Sequence, residues 1–254
     1  MKYLIPLLFL LATPLWLGSQ TLGTAAATRY VWAESGLVLR AAGAPAAERI
    51  GVVPFGSAVQ LTGERGQQHR VVAMRSVSYE WDGVQTSEPY VMKEHYVEVL
   101  YGEQRGYVYA GYLSRFSPEN NRPPAERVYG WLETMVGKPD TLIKAPTSAD
   151  AGPWKQRVRY ANGITISAEE IEGGGSLTLK IPGGTINEGY LIAAKYFGLR
   201  ASVDNEEFFK EVGDLLPALL SVTKDGSLEL RGSHDVYNIF IEEGNLVIFT
   251  ASGC

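Results

Sequence analysis

Three histidines, one cysteine and several runs of carboxylates are the residues of this chain that could do chemistry. The histidines are His69, His95 and His234. A zinc centre needs three or four His, Cys or carboxylate ligands, usually grouped in the sequence. None of the three has such neighbours, and His234-Asp235 reads as a loop. Cys254 is the only cysteine and the last residue, with no helix behind it to lower its pKa and no base nearby in sequence. A serine nucleophile on a sharp strand-to-helix turn would show as G-x-S-x-G, which Gly173-Gly174-Gly175-Ser176 does not match. Glu169, Glu170 and Glu172, and the pair Glu242-Glu243, could serve as acid and base if a cleft separated their pKa values. They fall at expected hairpin turns, where charge runs are solvated. No catalytic residue, metal site or cofactor is assigned from the sequence.

Ile181-Pro182-Gly183-Gly184-Thr185 leads from a strand into a helix whose first N–H groups could hold an anion. No G-x-x-x-x-G-K-[ST] pattern accompanies it, and Glu188 in the first turn satisfies the helix end. A plain turn is expected. The remaining signal is aromatic. Tyr and Trp suit binding surfaces because an apolar body carries a polar tip. The ligand-binding candidates are Trp81, Tyr107, Tyr109 and Tyr112. Strand alternation puts Tyr107 and Tyr109 on one face and Val108 on the other. Packing of the two rings on a neighbouring hairpin is the competing reading.

The elements that must position these residues fall into segments. Residues 1–27 read as a secretory signal peptide: Lys2, then the apolar run LIPLLFLLATPLWL broken by Pro6 and Pro14, then Ala25-Ala26-Ala27 as the cleavage site. A membrane anchor, the alternative, needs about 20 apolar residues. The expected location is periplasmic or extracellular, with no membrane span after cleavage. One thiol makes no internal disulfide, so packed cores must supply stability. Residues 28–118 carry nine Lys+Arg and nine Asp+Glu, whereas residues 119–254 carry thirteen and nineteen, a net −6. Neither half is basic and no Lys/Arg cluster appears, which argues against nucleic acid as a partner.

A polar, proline-bearing break at 118–124, PENNRPP, reads as a linker. Before it, short β-branched runs punctuated by Gly and Pro predict a small all-β barrel over 28–117. The expected inner residues are Leu37, Leu39, Ile50, Val52, Val59 and Leu61, and Gly56 after Pro54-Phe55 fits a turn needing positive φ. Arg40 is expected to hold loop carbonyls with its guanidinium fork. After the break, residues 125–254 predict an α+β domain. Pro123-Pro124 opens a helix with Val128, Trp131, Leu132, Met135 and Val136 on one side. An antiparallel sheet and two further helices follow in the order β-β-β-α-α-β-β-β. Asn162-Gly163 and Glu243-Gly244-Asn245 mark hairpins. Thr185 with Glu188, and Asp204 with Glu207, form capping boxes opening the two helices.

The first half resembles a bacterial SH3 (SH3b) domain over residues 29–116. The residues that carry the resemblance are Leu37-Val38-Leu39-Arg40, Ile50-Gly51-Val52-Val53-Pro54-Phe55-Gly56, Val59-Gln60-Leu61, and Arg105-Gly106-Tyr107-Val108-Tyr109-Ala110-Gly111-Tyr112-Leu113. The chain departs from the family pattern at Val38, where Asn is usual, at Tyr107, where Trp is usual, and in an insertion between Glu64 and Glu94 that bears Trp81. The resemblance implies binding of a cell-wall peptide or a protein partner. The expectation is therefore an exported, non-catalytic envelope-binding protein. The alternatives are a cell-wall hydrolase whose second half is catalytic and an inhibitor or immunity-type protein.

Overall fold

The computed structural model describes residues 27–76, 78–80, 84–118, 127–146, 154–171, 173–199, 219–232 and 235–253. The expected signal peptide up to Ala26, Trp81, His234, Cys254 and residues 201–218, where the helix expected to open at Asp204 falls, lie outside them.

Nine strands form before residue 118: β1 (Thr28–Val31), β2 (Leu37–Arg40), β3 (Arg49–Val53), β4 (Ala58–Met74), β5 (Ser78–Glu80), β6 (Val84–Thr86), β7 (Tyr90–Tyr101), β8 (Gln104–Tyr109) and β9 (Leu113–Ser114). Seven of them make one sheet in the order β3-β2-β8-β7-β4-β1-β9, and β5-β6 form a separate ribbon. The sheet is a half-barrel, because its edge strands β3 and β9 do not pair with each other. Alternation buries Leu37, Leu39 and Val59 as expected. On β3 the phase is the opposite of the expected one. Val53 is fully buried, while Ile50 and Val52 are 42% and 36% exposed. A one-residue shift moves every side chain of a strand to the other face, and the pairing of β2 with β3 shifts register between Leu39 and Arg40.

The inserted segment extends the sheet. Runs expected as separate strands are joined in the single strand β4, paired with β7 through three register shifts. Such bulges bend a strand and raise its twist, which lets β4 pair with β1 at one end and form a long ribbon with β7 at the other. Gly56 has φ +77 in the turn closed by Ser57 N–H on the Pro54 carbonyl. Arg40 Nη1 donates to the Ala47 carbonyl at 2.7 Å, the loop-holding role expected of it.

After the break come α1 (Arg127–Val136), β10 (Thr141–Pro146), β11 (Trp154–Arg159), β12 (Thr165–Ile171), β13 (Gly174–Pro182), α2 (Ile186–Tyr196), β14 (Leu219–Val222), β15 (Leu228–Arg231), β16 (Asp235–Glu242) and β17 (Asn245–Gly253). The eight strands form one antiparallel sheet, β10-β11-β12-β13-β17-β16-β15-β14. Six of them are the expected strands. The two edges, β10 and β14, were not expected, because short edge strands carry little alternation to read.

α2 begins with the expected capping box: Glu188 N–H donates to Thr185 Oγ1, and Thr185 N–H donates to Glu188 Oε2. Its burial is wider than one stripe. Gly189, Leu191, Ile192 and Tyr196 are buried along with Tyr190 and Ala193, while Ile186, Ala194 and Phe197 are only half-buried. A surface helix buries one stripe; α2 buries two, because it is packed between the half-barrel and the second sheet. A Cβ on Gly189 would meet Ile239 and Leu246 of the sheet. On the other side the Tyr190 hydroxyl donates to the Ala73 carbonyl of β4 at 2.8 Å.

The expected pair of domains joined at 118–124 is thereby corrected. The chain is mostly β, with two large sheets and two α-helices among the described residues, and a two-domain division is not shown. Trp32 of the first half meets Trp131 and Tyr196 of the second edge-on, at ring-centroid distances of 6.2 and 6.0 Å. Trp131 stacks on Tyr196 at 4.7 Å and meets Phe116 at 5.8 Å. The polar tips are satisfied: Trp32 Nε1 donates to the Phe116 carbonyl and Trp131 Nε1 to the Ser117 carbonyl. The buried apolar residues of both halves form one continuous core. No helix among the described residues is long and apolar enough to cross a membrane.

Candidate binding cleft

Where α2 leans against the half-barrel it leaves a cleft of about 470 Å³. Trp32 and the loop that follows it form one end. Phe55 of the Pro54-Phe55-Gly56 turn, Tyr96 of β7, and Tyr109 and Tyr112 at the end of β8 supply rings from the barrel side. Tyr190, Leu191, Ala194 and Lys195 line it from α2. Lys195 Nζ sits 4.7 Å from the centroid of the Phe55 ring, so a cation and an aromatic face meet across the mouth. Glu34 and Arg40 are the other charged residues of the lining.

The four sequence-predicted residues separate here. Trp81 lies outside the described residues. Tyr107 does not line the cleft; its ring packs against Gly43, where a Cβ would meet Tyr107 Cδ1 at 2.9 Å. Tyr109 lines the cleft but is 4% exposed, and its hydroxyl donates to the Met92 carbonyl at 2.9 Å. It stands in a cluster with His69, Tyr96 and Tyr112, each about 6 Å away between ring centroids. Packing on the inserted ribbon is therefore what holds Tyr109. Burial pushes its phenol up to about 12, so the hydroxyl remains a neutral donor. Tyr112 is half-buried in the wall of the cleft.

The residues missed in the sequence are Trp32, Phe55 and Tyr190. They come from three segments far apart in the chain, and no local spacing connects them. The single usable signal was an aromatic in a turn, Phe55 between Pro54 and Gly56.

The other candidates resolve simply. The turn before α2 is held by Gly183 N–H on the Gly244 carbonyl and Gly184 N–H on the Ile181 carbonyl. With Thr185 N–H on Glu188, the start of the helix is occupied by the chain itself. Glu169 is paired with Lys155 at 2.8 Å, and Glu242 with Lys180 at 3.0 Å. Among the described residues no three His, Cys, Asp or Glu side chains gather as a metal-binding group.

No family model, curated protein or solved structure matches the chain. What the cleft can do follows from its groups. Aromatic faces can stack on planar or apolar parts of a ligand, and the charges of Glu34, Arg40 and Lys195 can orient its polar ends.

Proposed function

We propose that this is an exported, non-catalytic binding protein of the cell envelope, and that its ligand, a cell-wall peptide, lies in the cleft between the half-barrel and α2. The observation that carries this reading is the cleft itself, with six rings from both halves of the chain converging on one concave space. The resemblance of the first half to bacterial SH3 domains supports it, as does the signal-peptide pattern of residues 1–27. Tyr112 and Lys195 supply the polar tips on opposite walls.

The test is retention of residues 28–254 on purified peptidoglycan. Ala194 faces the cleft from α2 and is half-buried, so Ala194→Trp fills the space with little demand on the core. The expected result is retention of the parent chain and its loss in Ala194→Trp at unchanged circular dichroism. No retention of the parent chain sinks the wall-binding reading. Retention unchanged in the filled variant removes the cleft as the site.

A further inference from the structure

The two edges of the eight-stranded sheet are treated differently by the rest of the molecule. At β14 the edge is closed: Glu88 N–H donates to the Leu220 carbonyl, and Val222 N–H donates to Glu88 Oε2. At the other end, among the described residues, β10 pairs with β11 alone. Leu142 and Ile143 of β10 are each 53% exposed. An unpaired row of backbone N–H and C=O groups beside exposed apolar side chains is a template for an added strand.

The strand next to this edge carries the second observation. β11 reads Trp-Lys-Gln-Arg-Val-Arg, and Val158 is buried while Lys155, Arg157 and Arg159 are exposed. Alternation therefore sets three cations in a row on the outer face, in register with Ala145, Ile143 and Thr141 of β10. The three cations alternate with other residues, so they form a row only once the segment is a strand. Lys155 is paired with Glu169, whereas Arg157 and Arg159 have no carboxylate partner among the described residues. Arg157 Nε donates to Ser167 Oγ at 3.3 Å, and both arginines line a hollow on this face together with Ile143 and Lys180. In a chain of net charge −5 this is a local field of opposite sign.

We infer that the β10 edge is a docking site for an extended segment of a partner protein that adds a ninth strand to the sheet and carries acidic side chains on its outer face. The β10 edge, unpaired among the described residues, supplies backbone pairing. Neighbouring strands lie about 4.8 Å apart, so an added residue beside Ile143 stands two strands from Arg157, within reach of an Arg and a Glu side chain extended toward each other.

The probe is a fluorescein-labelled peptide of alternating Glu and Val, about ten residues long, to span a strand, read by anisotropy against residues 28–254. An added strand uses the N–H groups of alternate residues only. The peptide N-methylated at every Val and the one N-methylated at every Glu should therefore differ: one keeps its affinity and the other loses it by more than about tenfold. The exposed double variant R157S/R159S should bind the parent peptide about five- to tenfold more weakly at unchanged circular dichroism. The inference is overturned by absence of peptide binding, by equal binding of both N-methylated isomers, or by full binding in R157S/R159S. A dimer of the chain that the peptide does not disperse overturns it in favour of a second copy.

Discussion

The Ser114 hydroxyl, at the end of β9, donates to Glu188 Oε1 at 2.9 Å, although 74 residues of chain separate the two. The same oxygen accepts Arg115 N–H at 3.1 Å, while Oε2 accepts the N–H of Thr185 at the start of α2. One buried carboxylate thus caps a helix and fastens the half-barrel to it. Arg115 adds a guanidinium 3.9 Å from Oε1 and donates from Nη2 to the Pro182 carbonyl.

Glu188→Ala removes acceptors from one buried hydroxyl and two backbone N–H groups. Unsatisfied buried donors and a lost cap each cost about 1–2 kcal/mol, so a loss of ~2–4 kcal/mol is expected in urea unfolding. A cycle with Ser114→Ala should return a coupling of at least ~0.5 kcal/mol. Strict additivity of the two changes would show that the bond does not join the halves energetically.

Trp131 touches rings from both halves and is fully buried. Trp131→Ala should cost ~3–5 kcal/mol. It should move tryptophan fluorescence and far-ultraviolet circular dichroism to a lower midpoint together, because one core unfolds as one unit. Two separated transitions would contradict the shared core.

Raised pH should unfold the protein through its tyrosines. Burial pushes Tyr109 and Tyr160 up to about 12 and raises Tyr90 further, the nearby Tyr190 adding to the burial effect there. In the unfolded chain these phenols ionise near 10. The neutral form is thus favoured by the fold, and the contribution is complete below pH 10 and lost as pH rises from 10 through about 12. Tyrosinate absorbance should rise in two steps, exposed rings first and buried ones together with loss of the circular dichroism signal. A single step near 10 for all fourteen tyrosines with the fold intact would refute this.

The loop after β2 crosses β4 where two glycines meet. Gln67 N–H donates to the Gly43 carbonyl at 2.7 Å, and a Cβ on Gly66 would overlap the Gly43 backbone. Backbone cannot rotate out of the way as a side chain can, so Gly66→Ala should destabilise by ~1–3 kcal/mol, measured by urea unfolding. A stability equal to or above the parent's would show that the loop lifts off at no cost.

Tyr107 and Tyr112 should separate in the peptidoglycan assay. Tyr107 packs on Gly43 and does not line the cleft, whereas Tyr112 lines it. Tyr107→Ala should lower the unfolding midpoint and leave retention unchanged, and Tyr112→Ala should weaken retention severalfold. The reverse pattern would move the ligand to the Tyr107 face.

Local patterns were legible where local physics decides them. Asn162-Gly163 and Glu243-Gly244 make hairpins because positive φ is available there; Gly163 has φ +81, Glu243 φ +50 and Gly244 φ +75. The Thr185–Glu188 box starts α2 because both groups of the cap lie within one turn. The six central strands of the second sheet follow from alternation and turn residues.

What the sequence did not determine was which faces would meet. Ile50 and Val52 were expected inside because they alternate as well as Gly51 and Val53 do, and only pairing with β2 selects between the two phases. The second buried stripe of α2 became burial only when the half-barrel arrived on that side. A polar, proline-bearing stretch at 118–124 looked like a domain boundary, because nothing local reports that Trp32 will meet Trp131 and Tyr196 edge-on. The cleft has the same origin. Its rings come from β1's end, the Phe55 turn, β7, β8's end and α2, and only the packing of long-range contacts brings them to one place.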